Sequence, residues 1–397
     1  NLRGVHPLTN IFIVCDMIYI YLLCLFITLL VLIIWMALEK YNQAPLDIRT
    51  FDGSNSPYHP SVKFSEKGYG GYEFIMSETP FYLTLPSVGS NYRDQFECPS
   101  IHYSHDGFHW ENIISNPIDN LTEEEIKNRD YFSDPDLVET PTGLEIWYRL
   151  NRRYGKETDQ ENVILLRKKS KDGVHWGERE LIADLQNTES DNGLGRIVIS
   201  QTLLFEENKY KCWFVDDIHI GKEHICYSES KDGISSWTDK KIVKLSGLDI
   251  TPWHLHILKD GIVYWLIVYD HRKITLWKSE REIEFEYVKT LIEPSGAYGS
   301  FYSNNTYRAC LTKIAEERYR LYFSADDYYR SYIGVMEGTS PETMVIVSID
   351  NRKHSSLKAA IYLFLITNYA VYSRKVSYYS KRLYQKPIEI IKLKLKH

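Results

Sequence analysis

The heptapeptide Ser104-His105-Asp106-Gly107-Phe108-His109-Trp110 recurs as Ser170-Lys171-Asp172-Gly173-Val174-His175-Trp176. It returns, one residue longer, as Ser230-Lys231-Asp232-Gly233-Ile234-Ser235-Ser236-Trp237. Asp-Gly between two apolar runs is a tight-turn signal, and a Trp follows each turn. The three Asp residues are therefore read as turn builders, not as catalytic groups. Working outward, each copy ends a longer unit of an apolar strand, a turn and an aromatic strand. His59-Pro-Ser-Val leads to Tyr72-Glu-Phe-Ile-Met, Asp134-Pro-Asp-Leu-Val to Glu145-Ile-Trp-Tyr-Arg, and Ser200-Gln-Thr-Leu-Leu to Tyr210-Lys-Cys-Trp-Phe. Trp253-His-Leu-His-Ile followed by Tyr264-Trp-Leu-Ile-Val, and Tyr307-Arg-Ala-Cys-Leu followed by Tyr319-Arg-Leu-Tyr-Phe, keep the strand pattern without the turn. Short alternating runs punctuated by Gly, Asp and Asn, with almost no helical period, give an all-β region. Five repeated units of three to four strands predict a five-bladed β-propeller over residues 58–338.

The composition fits. Of 397 residues, 44% are hydrophobic and 25% charged, which excludes a disordered, collagenous or coiled-coil chain. Aromatic residues reach 14%, with 31 Tyr and 9 Trp, a bias toward strands. From Arg352 to His397 there are eleven Lys/Arg and one acid, Glu389, a net +10; this leaves −16 for the rest of a chain whose net charge is −6. So acidic a body makes a poor nucleic-acid binder as a whole, and no nucleic-acid partner is expected.

Two flanking segments break the pattern. Residues 17–38 (MIYIYLLCLFITLLVLIIWMAL) carry no charge and one clearly polar residue, Thr28. As a helix they reach about 33 Å, enough for a hydrocarbon core of about 30 Å. With no cleavage site after Leu38, a retained single-pass anchor is expected within an N-terminal segment 1–38, followed by a linker over 39–57. Flanking charges do not orient the span. Residues 339–397 form a basic extension in which 357–384 is expected to be helical. It is either a membrane-surface segment or a solvated tail packed partly on the propeller.

Six cysteines show no C-x-x-C pair and no His at metal spacing, so no metal site and no disulfide framework are expected. Cys212 and Cys226 face each other across a hairpin as either one disulfide or two buried thiols. No nucleotide loop, nucleophile elbow or zinc signature appears, so no cofactor is expected.

In a propeller the starts of the innermost strands meet at one axial mouth. This convergence nominates His59, Asp134, Ser200 with Gln201, His254 and Arg308; the loops after the second strands add Glu78, Glu97, Arg149, Asn151, Asp216, Asp217, Asp270 and Asp326. Asp136 shares a sheet face with Asp134 but lies deeper. Carboxylates and amides suit sugar hydroxyls, and Trp and Tyr suit the apolar faces of sugar rings. A carboxylate pair suits glycoside hydrolysis, one as acid and the other as base or nucleophile. By position the pair is Glu97 and Asp134, with His59, Asp136, Arg149, Gln201, Asp217, His254 and Arg308 as substrate contacts.

His59-Pro60, Glu97-Cys98-Pro99, Ser133-Asp134-Pro135, Trp253-His254 and Tyr307-Arg308 follow one another in an order that resembles the five-bladed propeller glycosidases. These are the arabinanases, xylosidases, invertases and levansucrases of glycoside hydrolase families 32, 43 and 68, and the motifs are most similar to an uncharacterised bacterial and phage branch. The resemblance covers about 58–338. It implies carboxylate catalysis with an Asp in the first blade, an Asp in the second and a Glu acid in the third. Here His59 and Ser200-Gln201 stand at the first and third positions, and Asp134 alone matches. The superfamily admits a central Ca²⁺, for which this chain shows no ligand loop. The function expected is a membrane-anchored glycoside hydrolase or transglycosylase acting on a cell-surface or capsular polysaccharide. The alternatives are a non-catalytic carbohydrate-binding propeller in polysaccharide assembly and a protein-interaction scaffold.

Overall fold

A computed structural model describes residues 18–31, 43–81, 97–152, 162–184, 198–216, 223–235, 237–296, 300–327 and 330–347. The chain divides into two units, one comprising 1–42, 297–300 and 352–397, the other 43–296 and 301–351. In the first, residues 18–31 form helix α1, with apolar side chains such as Tyr19, Leu25 and Phe26 exposed. No helix among the described residues is long and apolar enough to cross a membrane. The rest of the expected 17–38 span lies outside the described residues, as does the basic extension from 348 onward.

The second unit is the five-bladed propeller. Blade 1 contains β1 (Pro57–Tyr69), β2 (Tyr72–Pro80) and β3 (Ser100–Ser104); blade 2 contains β4 (Tyr131–Thr140), β5 (Gly143–Arg152), β6 (Asn162–Ser170) and β7 (Glu180–Asp184). Blade 3 contains β8 (Val198–Glu206), β9 (Lys209–Asp216), β10 (His224–Ser230) and β11 (Lys241–Ile242). In blade 4, β13 (His254–Asp260), β14 (Val263–Asp270), β15 (Lys273–Ser279) and β16 (Glu284–Ile292) are antiparallel. β12 (Lys244–Ser246) runs parallel along β16 as a fifth strand, which covers an edge that would otherwise be open. Blade 5 contains β17 (Asn305–Ala315), β18 (Arg318–Asp326), β19 (Ser331–Gly338) and β20 (Val345–Ile346). The inner strands β1, β4, β8, β13 and β17 touch in a closed ring. Between blades 1 and 2 the short helix α2 (Glu123–Asn128) is held by a Thr122/Glu125 capping box.

The Ser-x-Asp-Gly copies behave as turn builders. In each, one carboxylate oxygen of Asp106, Asp172 or Asp232 accepts two backbone N–H groups at 2.8–2.9 Å. The preceding Ser hydroxyl accepts the Gly N–H at 2.8–2.9 Å. Each turn also docks on the preceding blade of the ring. Blade 1's turn lies under blade 5, where the Arg320 guanidinium donates to Asp106 O and Tyr322 Oη to Gly107 O at 3.1 Å. Tyr103 of blade 1 donates to Gly173 O at 2.6 Å, and Arg167 of blade 2 to Asp232 O at 3.4 Å. Gly107 explains the glycine: its φ is +74°, and an added Cβ would lie 2.3 Å from Arg320 Nη1.

Two boundaries move. Residues 43–56, expected as linker, pack on the propeller. Leu46 and Ile48 are buried with Val62, Met76, Tyr322 and Ile333, and Leu46 N–H bonds Ile333 O at 2.8 Å, closing blade 5 against blade 1. Their apolar side chains went unread because they fall in a short polar stretch without periodicity. The propeller also runs past 338, since β20 pairs with β19. Among the described residues all cysteines are free thiols; Cys212 pairs with Ser228 and Cys226 with Phe214, so register excludes a Cys212–Cys226 disulfide.

Candidate functional site

Four inner strands carry a register shift near their start: between Tyr58 and Ser61, Ser133 and Asp136, Val198 and Gln201, and Thr306 and Ala309. A bulge re-aims a side chain, and these bulges contain or adjoin His59, Asp134, Gln201 and Arg308. His59 (φ +52°), Asp134 (φ +51°) and Glu97 (φ +55°) are also in the left-handed region that ordinary side chains avoid. Strain of this kind persists only where the surroundings impose it, and it gathers at working sites.

The strands bring these residues together. Asp134, from blade 2, is 1% exposed. Its Oδ2 meets the Arg149 guanidinium; its Oδ1 lies 3.1 Å from Arg308 Nη1 and 3.2 Å from His254 Nδ1. Gln201 donates from Nε2 to the Asp134 carbonyl at 2.7 Å. His59 lies against both carboxylates: its Nδ1 is 2.9 Å from Thr79 Oγ1 and 3.7 Å from Glu97 Oε2, and its charge state is coupled to Asp134. Its ring centroid is 5.7 Å from that of His254. Three polar atoms, His254 Nε2, Gln201 Oε1 and Ser200 Oγ, are buried with no hydrogen-bond partner among the described residues. Buried polar atoms are ordinarily paired, so a cluster of orphans at one point marks a place where a ligand supplies the partners.

The charges follow from this packing. Burial disfavours the Asp134 anion, but the Arg149 guanidinium, helped by the hydrogen bond with His254, outweighs it and holds the carboxyl well below the usual carboxylate range. Burial holds His59 well below the ordinary imidazole value and lowers His254 against the pull of Asp134. Near neutral pH the site is thus a fixed anion between two guanidiniums and two neutral imidazoles.

Of the residues nominated from sequence, His59, Glu97, Asp134, Arg149, Gln201, His254 and Arg308 assemble here. Asp136 lies deeper: its carboxylate accepts from Ser61 Oγ and Leu203 N–H, both at 2.9 Å, tying β1, β4 and β8 together, and its Oδ1 is 3.8 Å from Arg308 Nη2. Burial raises its carboxyl. Asp217 lies outside the described residues. Three aromatics that the sequence reading did not name as site residues also stand here. Tyr58 and Tyr307 stack at 5.2 Å, Tyr307 meets His254 at 4.3 Å, and Trp253 Nε1 donates to Tyr307 Oη at 2.9 Å. The available signal was adjacency, since each directly precedes an axial residue: Tyr58-His59, Trp253-His254 and Tyr307-Arg308.

His59, Asp134 and His254 each offer a ligand atom, and these atoms lie within 4.8 Å of one another. Two neutral imidazoles and a carboxylate suit a divalent first-row cation, and the orphaned His254 Nε2 fits that role. Such an ion would share Asp134 with Arg149 and Arg308. The expectation of no metal ligand set therefore rested on linear spacing, which cannot register donors from three different blades.

No family model matches the chain. Two uncharacterised proteins of Mycobacterium tuberculosis, MT1551 of strain CDC 1551 / Oshkosh and Rv1502 of strain ATCC 25618 / H37Rv, are each 25% identical to it over 151 residues, 37% of this chain. The aligned part spans 46% of these relatives' length. Among solved structures, the chain is similar to an N-acetylgalactosamine deacetylase from F. plautii in complex with blood group B trisaccharide, with a TM-score of 0.59, 20% identity and coverage of 76% of this chain and 96% of that one. It is also similar to a GH43_1 enzyme from Xanthomonas citri, with a TM-score of 0.53, 8% identity and coverage of 80% and 98%. At these identities the likeness shows the fold alone: an all-β propeller of five blades, shared with family 43 glycoside hydrolases.

Proposed function

We propose that the chain is a carbohydrate-active hydrolase working at the axial mouth. The observation that carries this reading is Asp134, a carboxylate kept ionised at the axis by groups from blades 2, 4 and 5. Its low proton affinity excludes it as the general acid. It stabilises positive charge developing at the anomeric carbon, and Glu97, on the other side of His59, transfers the proton to or from the glycosidic oxygen. Arg308, Gln201 and His254 orient hydroxyls, and the Tyr58–Tyr307–Trp253 cluster offers aromatic surface to the sugar. The substrate is a cell-surface or capsular polysaccharide, and the apolar run 17–38, with the basic extension, supports a membrane anchor.

The test is incubation of the full chain with a glycan panel, reading new reducing ends. Glu97→Gln should lower turnover about 10²–10⁴-fold, the scale of a lost acid–base group; unchanged turnover would remove that assignment. Binding without product would favour a carbohydrate-binding propeller.

One observation favours a second reading. The His59–Asp134–His254 donor set and the fold shared with a deacetylase support metal-assisted removal of an acyl group from an amino sugar. A bound cation there would supply Lewis acidity and an activated water; Glu97 would serve as base. Acetate release abolished by chelation, without new reducing ends, would select this reading.

A further inference from the structure

Blade 3 holds a second donor cluster, one and two strands outward from β8. Asp216 closes β9 and His224 opens β10, and the two are direct partners in the sheet register. Cys226 stands two residues further along β10, which puts all three side chains on one face. One ligand atom from each lies within 4.8 Å of the others, and Cys226 Sγ is 3.9 Å from Asp216 Oδ2. Cys226 is a free thiol, fully buried with Asp216, while His224 is half-buried. Lys240 Nζ contacts Asp216 Oδ2 at 2.7 Å. The other oxygen, Asp216 Oδ1, is buried with no hydrogen-bond partner among the described residues. A carboxylate oxygen left bare in the interior is costly unless something binds it.

We propose that Asp216, His224 and Cys226 form a binding site for a zinc-class divalent cation, separate in its ligands from the axial site. One sulfur, one imidazole and one carboxylate are a donor set that tetrahedral Zn²⁺ accepts, with water as the fourth ligand. On binding, the Cys226 thiol loses its proton to solvent. The thiolate and Asp216 then supply two negative charges against the ion and Lys240. Asp216 Oδ1 takes the cation while Oδ2 keeps Lys240, so the lysine offsets carboxylate charge without occupying the site. The ion pins the end of β9 to the start of β10.

The probe is Co²⁺, titrated into the full chain. Thiolate ligation gives a sulfur-to-cobalt charge-transfer band in the near ultraviolet, and the His59–Asp134–His254 set contains no sulfur, so the band reports this site whatever happens at the axis. The expected result is one equivalent bound with the band, retained in Cys212→Ser and lost in Cys226→Ser. Half-buried His224→Ala, which removes little packing, should weaken Co²⁺ binding at least about tenfold. In parallel, Zn²⁺ should raise the melting temperature of the wild-type chain more than that of His224→Ala. Absence of the band at saturating Co²⁺ in the folded chain, its persistence in Cys226→Ser, or equal Co²⁺ affinity in His224→Ala would each overturn the proposal.

Discussion

The aspartates of the repeated turns and the aspartate at the axis all have lowered proton affinity, for opposite reasons. In Asp172 the depression begins with the backbone N–H and side chain of His175, three residues away; Asp232 is held in the same way by Ser235 and Ile234. Burial works against Asp106, yet its own turn still lowers it to about 2. Asp134 has no such local supply. Its charge is balanced by Arg149 across one hairpin and Arg308 in blade 5, with the His254 ring of blade 4 beside it. The turn carboxylates are satisfied within their own turns and have nothing left to offer a ligand. The axial one depends on the closed ring, and the ring depends on it.

The largest expected effect breaks that dependence. Asp134→Asn leaves two guanidiniums facing a neutral amide inside the protein and should destabilise by about 3–5 kcal/mol, the cost of removing one partner of a buried ion pair. Chemical denaturation checks it, and a loss under 1 kcal/mol would mean that Asp134 is not the charge that holds the axis. Gly107→Ala comes next: its methyl group meets Arg320 and Tyr322 from blade 5 at a positive φ, for an expected loss of about 1–3 kcal/mol. Asp172→Ala removes only a turn cap and should cost about 1 kcal/mol in the same assay.

Acidity sharpens the comparison. Burial lowers His59, His254 and His256, so between their folded values and about pH 6.5 the unfolded chain binds more protons. Their contribution is present above about pH 6.5 and is lost as the pH falls below it. Asp134, depressed in the folded state, contributes fully above about pH 4 and loses its contribution only below that. Denaturation midpoints should therefore drop from pH 7.5 to 5.5 and drop again below pH 4. A flat profile from 7.5 to 5.5 would contradict neutral, buried imidazoles.

The same contrast explains what was legible in the sequence. The turns were, because Ser-x-Asp-Gly encodes its own hydrogen bonds within four residues. Strand starts were legible too, so His59, Asp134, Gln201, His254 and Arg308 were placed at one mouth from the repeat alone. Polarity at a strand start does not say what a side chain will face. Asp134 and Asp136 are two residues apart on one strand and both face Arg308, yet one also meets Arg149 and His254 while the other ties Ser61 to Leu203. The bulge between Ser133 and Asp136 makes that difference, and nothing in the linear pattern announces it. The metal-compatible sets were hidden for the same reason, being assembled across strands. Leu46 and Ile48 were missed because two apolar residues in a polar stretch carry no period.

The axial mouth is where a sugar should bind. Crystals soaked with an oligosaccharide from the glycan panel test this directly. The prediction is saccharide density within hydrogen-bonding distance of Glu97, His254 and Gln201, with a ring against Tyr307 or Trp253. Saccharide bound at an outer blade edge with the axis unchanged, or no density at concentrations that saturate binding in solution, would contradict it.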